Sequence, residues 1–280
     1  MLWPVYATRD SGVTADYNHQ LSVVALREYF KVLPGGEEDW WEAVRTMYGF
    51  LYRRALEGRK QSVFLDKTPR YYFIIPELLR IFPESRQLLL LRNPVAVLSS
   101  IEKTWCEGDW HALRGFKHDL FLAPQRMAKA CAQPGPTQKV VRYEDIVQST
   151  DAVLKDIFHW LGLAEGNVQG MTAQQTPTTE KWKFGDQGLA YAREGAVAQR
   201  AADWTTRLAD PQFWRCARDY VDQLGAETLG GLGYSMELFD RVLLSNRPTK
   251  VQLWRTKSLT VLLEEKWRPP IPRRTEAQPR

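Results

Sequence analysis

Lys67, Arg92 and Ser100 are the residues of this sequence whose types and spacing best suit chemistry. Lys67 stands in Asp66-Lys67-Thr68-Pro69, Arg92 opens Arg92-Asn93-Pro94, and Ser100 follows Arg92 by eight residues. A guanidinium fork takes two oxygens of a phosphate monoester, and a hydroxyl takes another. The elements that must position these groups surround them. Ser62–Asp66 and Leu88–Leu91 are apolar runs of buried-strand length. The four consecutive leucines predict cover on both faces of the second strand. Each run is followed by a cation, a capping residue and a proline: Thr68 and Pro69, then Asn93 and Pro94. Ile74, Ile75, Leu78, Leu79 and Phe82 recur at helical spacing, and Pro83 ends that helix. Val63 to Glu102 thus reads strand, loop, helix, twice over. Open α/β sheets bind ligands at the carboxyl ends of their strands, and helix N-termini favour anions. With a helix starting near Pro94, Ser100 falls in its second turn, where its hydroxyl can face the same edge as Arg92. Taken singly, each motif also reads as an ordinary helix start or a surface ion pair. The two on successive units point to a site.

These residues resemble those of the sulfotransferases that use 3′-phosphoadenosine 5′-phosphosulfate (PAPS), in particular the bacterial members related to the heparan and tyrosylprotein enzymes. The likeness runs from about Leu2 to Tyr234. The family's 3′-phosphate site has an arginine after a strand and a serine eight residues on, matched by Arg92 and Ser100. Its D/E-K-T/S-P segment is matched by Asp66–Pro69, which implies a place for Lys67 beside the transferring sulfuryl group. Its third landmark, a strand ending R/Y-Y-E-D-L before a helix closing in L-G, is matched by VVRYEDIVQSTDAVLKDIFHWLGL. That implies a place for Tyr143 near the adenine. The resemblance further implies an α/β fold of the P-loop-NTPase type, three layers deep, with a central parallel sheet flanked by helices. It implies PAPS as co-substrate; the residues call for no metal, and the acceptor is left open among a small molecule, a glycan, a lipid and a protein hydroxyl. Sulfuryl transfer resembles phosphoryl transfer: an in-line displacement in which cations stabilise the leaving phosphate and a base takes the acceptor proton.

One family element has no counterpart. A loop resembling G-x-x-R-S-G-T-T, which cradles the 5′-phosphosulfate, is not found, nor is G-x-x-x-x-G-K-[ST]. Leu2–Phe30 resembles the stretch that relatives carry just after that loop and its helix. The expectation is therefore an N-terminally truncated fold lacking the first strand, the loop, its helix and the base. This arises from a miscalled start, a fragment or a non-catalytic remnant.

Composition narrows the remaining classes. The chain has 280 residues, 44% hydrophobic and 25% charged, ordinary for a globular protein. The net charge of +5 and pI near 9.0 suit an anionic ligand. The basic residues are scattered, with no stripe interleaved with aromatics, which argues against nucleic acid. A small-molecule kinase is disfavoured by the missing Walker lysine. Cys106, Cys131 and Cys216 lie far apart, with no zinc spacing, and suit a reducing cytoplasm. Neither a signal peptide nor an eighteen-residue apolar run is found, so a cytoplasmic location is expected.

Residues 20–32, 39–58, 116–131 and 150–162 read as helices, Gln138–Tyr143 as a third strand, and Trp204–Gly225 as the last large helix pair. Gly170–Leu189 reads as loop, and the resemblance implies that this region returns over the cofactor as a lid, with Lys181–Arg200 helping to hold PAPS. The eleven tryptophans either line an acceptor cleft or pack helices. Of the histidines, His159 reads as structural; His111 and His118 flank a Trp-rich loop that either faces an acceptor or is structural, and the resemblance implies the acceptor side for His19; Asp66 reads as orienting Lys67. Domain organisation is read as 1–240 for the main domain and 241–280 for a basic helix and tail. From Asp240 on there are ten Lys and Arg against four Asp and Glu. Val251 to Leu263 can form one apolar face. That face either docks on the domain or makes peripheral contact with a membrane or partner.

Overall fold

Helix α1 (His19–Phe30) leads through a tight turn at Gly36 into α2 (Glu37–Leu56). These are among the residues described by the computed structural model: 19–60, 62–132, 134–163 and 203–264, without the side chains of His19 and Gln20. They fall into two compact units that meet in sequence at Ser85 and Arg86.

In the first unit, α2 places Glu37, Glu38 and Asp39 in its first turn and Arg53 and Arg54 in its last, complementing the helix dipole at both ends. A short 3₁₀ turn (Tyr71–Phe73) precedes α3 (Ile75–Ile81). Arg45 reaches from α2 to donate to the carbonyls of Arg80 (3.0 Å) and Ile81 (2.5 Å), satisfying acceptors that α3 leaves open at its C-terminus. Arg80 in turn pairs with Glu37 and Glu38 and lies 5.1 Å over the Trp41 ring. Tyr72, Ile75 and Ile81 are buried.

The expected first strand is not formed. Residues 62–70 are exposed and join no ladder among the described residues. The helix expected at Pro69 starts instead at Ile75, with Pro76 in its first turn. Local chemistry accounts for the shift. The Thr68 carbonyl accepts the Tyr71 N–H (3.2 Å), and Tyr71–Phe73 winds as a 3₁₀ turn before α3 begins.

In the second unit, β1 (Gln87–Leu91) and β2 (Gln138–Arg142) pair in parallel, Gln87 opposite Gln138 and Leu91 opposite Arg142. Leu89 and Leu91 are buried, whereas Leu88 and Leu90 are 40% and 50% exposed. Among the described residues one face of the leucine strand is therefore covered, not both. The layer that covers it includes α5 (Ala123–Ala132). Between the strands run α4 (Pro94–Ile101), a π turn (Glu102–Cys106), a 3₁₀ turn (Trp110–Phe116), a second π turn (His118–Leu122) and α5. After β2 come α6 (Tyr143–Gln148) and α7 (Thr150–Leu161), closed by left-handed Gly162.

The core gathers on α8 (Pro211–Gly231), which packs on α4, α5 and α9 (Met236–Ser245). Phe213, Ala217, Tyr220 and Val221 are fully enclosed, and the Tyr220 hydroxyl donates to the Leu120 carbonyl at 2.6 Å. Each large side chain so buried is worth about 1.5–3 kcal/mol. The expected helix pair from Trp204 divides at Asp210, whose carboxylate caps Gln212 (2.9 Å). The second helix breaks its geometry at Gly225 and runs on to Gly231. The C-terminal apolar face also divides. In α10 (Lys250–Trp254) Val251 and Trp254 are exposed; in α11 (Leu259–Glu264) Leu259, Leu262 and Leu263 join the core. The architecture is mostly helical around a small parallel sheet. No helix among the described residues is long and apolar enough to cross a membrane.

Candidate functional site

Leu91 and Arg142 are opposite each other where the two strands end, so the next residue of each is delivered to the same carboxyl edge. Those residues are Arg92 and Tyr143. The Arg92 guanidinium carbon lies 4.6 Å from the centre of the Tyr143 ring, a cation–π stack that holds the planar fork against an aromatic face. Both side chains are half-buried. The backbone turns at once after each strand. Asn93 accepts from the N–H groups of Val95 (2.9 Å) and Ala96 (3.2 Å), and Pro94 occupies the first turn of α4, as the sequence predicts.

Glu144 fastens the two turns together. Its Oε1 accepts the Asn93 N–H at 2.8 Å and its Oε2 accepts the Tyr234 hydroxyl at 3.0 Å. Burial, and then the negative charge of Glu144, push the Tyr234 phenol well above its ordinary range, so it stays a donor. Arg142 spreads over the Tyr234 ring (4.8 Å) and donates to the carbonyls of Leu232 (3.4 Å) and Gly233. Sequence reasoning reaches Arg92 and Tyr143 but passes over this support. Glu144 lies inside the Y-E-D run, where an acid in the first turn of a helix is visible. Tyr234 and Gly233 lie ninety and ninety-one residues from their partners, a separation that carries no local pattern.

Ser100 sits in the second turn of α4. Pro94, Val95, Ala96, Leu98, Ser99 and Ile101 are buried, and Val97 and Ser100, three apart, form the accessible stripe of that helix. Lys67 is exposed and belongs to the first unit. Its neighbour Asp66 accepts from the hydroxyls of Tyr52 (2.6 Å), Tyr71 (2.6 Å) and Thr68 (3.1 Å). Burial alone would raise the Asp66 carboxyl, but these three donors outweigh it and hold it below its ordinary value. The structure thus brings Arg92 and Tyr143 into contact, sets Ser100 on the open side of the adjoining helix, and gives Asp66 three hydroxyl donors.

The family model described as the sulfotransferase family matches residues 6–165, a span that includes Lys67, Arg92, Ser100 and Tyr143. This chain belongs to the sulfotransferase family. It is also similar to nodulation protein NoeE of Sinorhizobium fredii (strain NBRC 101917 / NGR234), 28% identical over an alignment of 226 residues that covers 72% of this chain and 52% of that protein. This sulfotransferase family member thus spans about half the length of that relative. No solved structure matches it.

On the inward face of α4 in this sulfotransferase family member, Arg207 donates to the Ser99 carbonyl (3.1 Å) and hydroxyl (3.3 Å), pairs with buried Glu102 and lies over Phe213. The helix that carries Ser100 is thereby fixed from behind. Most of the described tryptophans pack. Trp204 and Trp214 are buried, Trp214 donating to the Leu243 carbonyl (2.8 Å), and Trp110 meets Phe213. Trp105 is 53% exposed at the first π turn. His111 is half-buried, its N–H accepted by Asp109, while His118 and His159 are exposed. No cluster of His, Cys, Asp and Glu able to hold a metal occurs among the described residues. The Lys181–Arg200 segment, Trp182, the His19 side chain and the tail beyond Glu264 lie outside them.

Proposed function

We propose that this chain binds the adenosine 3′-phosphate half of PAPS at the edge marked by Arg92 and Tyr143, and serves transfer of the sulfuryl group to a hydroxyl or amine of an acceptor. The observation that carries the reading is the stacking of Arg92 on Tyr143 at the paired strand ends of a sulfotransferase family member. A 3′-phosphate calls for a bidentate fork and a hydroxyl, which Arg92 and Ser100 supply. Arg92 takes one face of the Tyr143 ring, and an adenine would take the other. Lys67 is proposed for the sulfuryl group on the resemblance of its segment alone; a cation there would stabilise charge developing on the leaving phosphate. The full three-layer, P-loop-like architecture belongs to the same proposal, as does an acceptor that is a small molecule, a glycan or a lipid.

Calorimetric titration with 3′-phosphoadenosine 5′-phosphate tests the reading. Micromolar binding is expected, weakened at least about thirtyfold in Arg92→Ala, the loss of a charge-assisted bidentate contact. No binding by a folded wild-type chain, or equal binding by Arg92→Ala, overturns it.

A further inference from the structure

Helix α10 presents an arrangement that the transfer chemistry does not use. Trp254 is 86% exposed and Val251 71%, on a helix closed at its start by a Thr249–Gln252 capping box. At about 100° per residue, Lys250, Val251, Trp254 and Arg255 fall within an arc of about 140°. The apolar pair is central and the cations are at the margins. Leu253 falls outside this arc and lines a cavity of about 470 Å³ together with Leu244 and Arg247. Leu244, at the end of α9, is 61% exposed. From residue 241 to 257 the sequence carries five Lys or Arg and no Asp or Glu.

Exposed apolar side chains rimmed by cations mark a surface that meets something. A second copy is disfavoured, because a self-complementary interface would press this cationic segment against itself. A tryptophan and an aliphatic residue flanked by long cationic side chains have the layout of an interfacial helix. The apolar centre enters the headgroup region and the cations remain among anionic headgroups. We propose that the face formed by Val251 and Trp254, with Lys250 and Arg255 at its margins, docks on a bilayer containing anionic phospholipid. This does not depend on the sulfotransferase reading, since none of these residues takes part in it.

The test is co-sedimentation of the full chain with vesicles of phosphatidylcholine containing about one third phosphatidylglycerol, beside vesicles of phosphatidylcholine alone. Binding to the anionic vesicles is expected, weakening as salt rises. Trp254→Ala with Val251→Ser should lower it roughly tenfold, and Lys250→Glu with Arg255→Glu roughly thirtyfold. All four side chains are exposed, so the fold should be kept, with circular dichroism as the check. No binding to anionic vesicles overturns the proposal. So does binding that both variant pairs leave unchanged, or equal binding to the neutral vesicles.

Discussion

Glu144 accepts the backbone N–H of Asn93 at 2.8 Å, so the helix that comes after β2 holds the turn that comes after β1. The same carboxylate receives the Tyr234 hydroxyl, and both donors lose their partner together if it is removed. Glu144→Ala should destabilise the fold by about 1–3 kcal/mol and weaken nucleotide binding, while Glu144→Gln, which keeps an oxygen of similar reach, should recover most of both. Denaturant midpoints and calorimetry on the two variants give the comparison. Equal losses in both would show that charge matters and reach does not.

Gly233 is fixed by its neighbour. Its φ is +77°, and a Cβ at this position would lie 1.8 Å from Arg142 Nη2. Gly233→Ala should cost about 1–3 kcal/mol from backbone strain alone, and more from displacement of Arg142. Adding Arg142→Ala should relieve the clash, so the two changes will not sum. A double-mutant cycle on urea midpoints measures that coupling.

Arg207 and Glu102 form a largely buried pair, Glu102 being 4% exposed. Arg207→Met leaves an uncompensated carboxylate inside the fold and should cost about 3–5 kcal/mol, whereas Arg207→Met with Glu102→Leu should lie close to the wild type. Thermal melts of the three proteins separate the cost of an orphaned charge from the worth of the pair.

Alkali should destabilise the second unit. Burial, with the charges of Glu102 and Asp109 adding to it, raises the Cys106 thiol to about 11; burial raises Cys216 to about 12. Unfolded, both ionise near their ordinary value of 9.0. The folded state then holds the more protons, so the stability these thiols contribute is whole below pH 9 and falls as pH rises towards 11 and 12. Melting temperature across that range should fall. At neutral pH, iodoacetamide should label neither thiol until denaturant is added.

Much of the second unit is legible in the sequence because its signals are local. The Asn93 cap, Pro94 and the Leu-Gly end of α7 each act within one turn, and each forms as the sequence predicts. Lys67 shows where local reasoning fails. The Asp66–Pro69 run holds good helix-starting residues, but the chain winds a 3₁₀ turn at Tyr71–Phe73 before α3 begins, and a strand at 62–66 would need a neighbour that its own sequence cannot name. The leucine run predicts two covered faces, whereas cover depends on which layers the chain brings to it. The stacking of Arg92 on Tyr143 is only half visible: each residue is marked by its motif, but their contact is set by the register of the ladder.

That ladder also fixes when the nucleotide edge comes into being. Gln87 and Gln138 stand 51 residues apart, and a chain pays the entropy of closing such a loop before the strand contacts repay it. The hydrogen bonds of the intervening helices close within a few residues and meet no such cost. During refolding, helical signal should therefore precede competence to bind nucleotide, and the last step to finish is the one that sets Arg92 beside Tyr143.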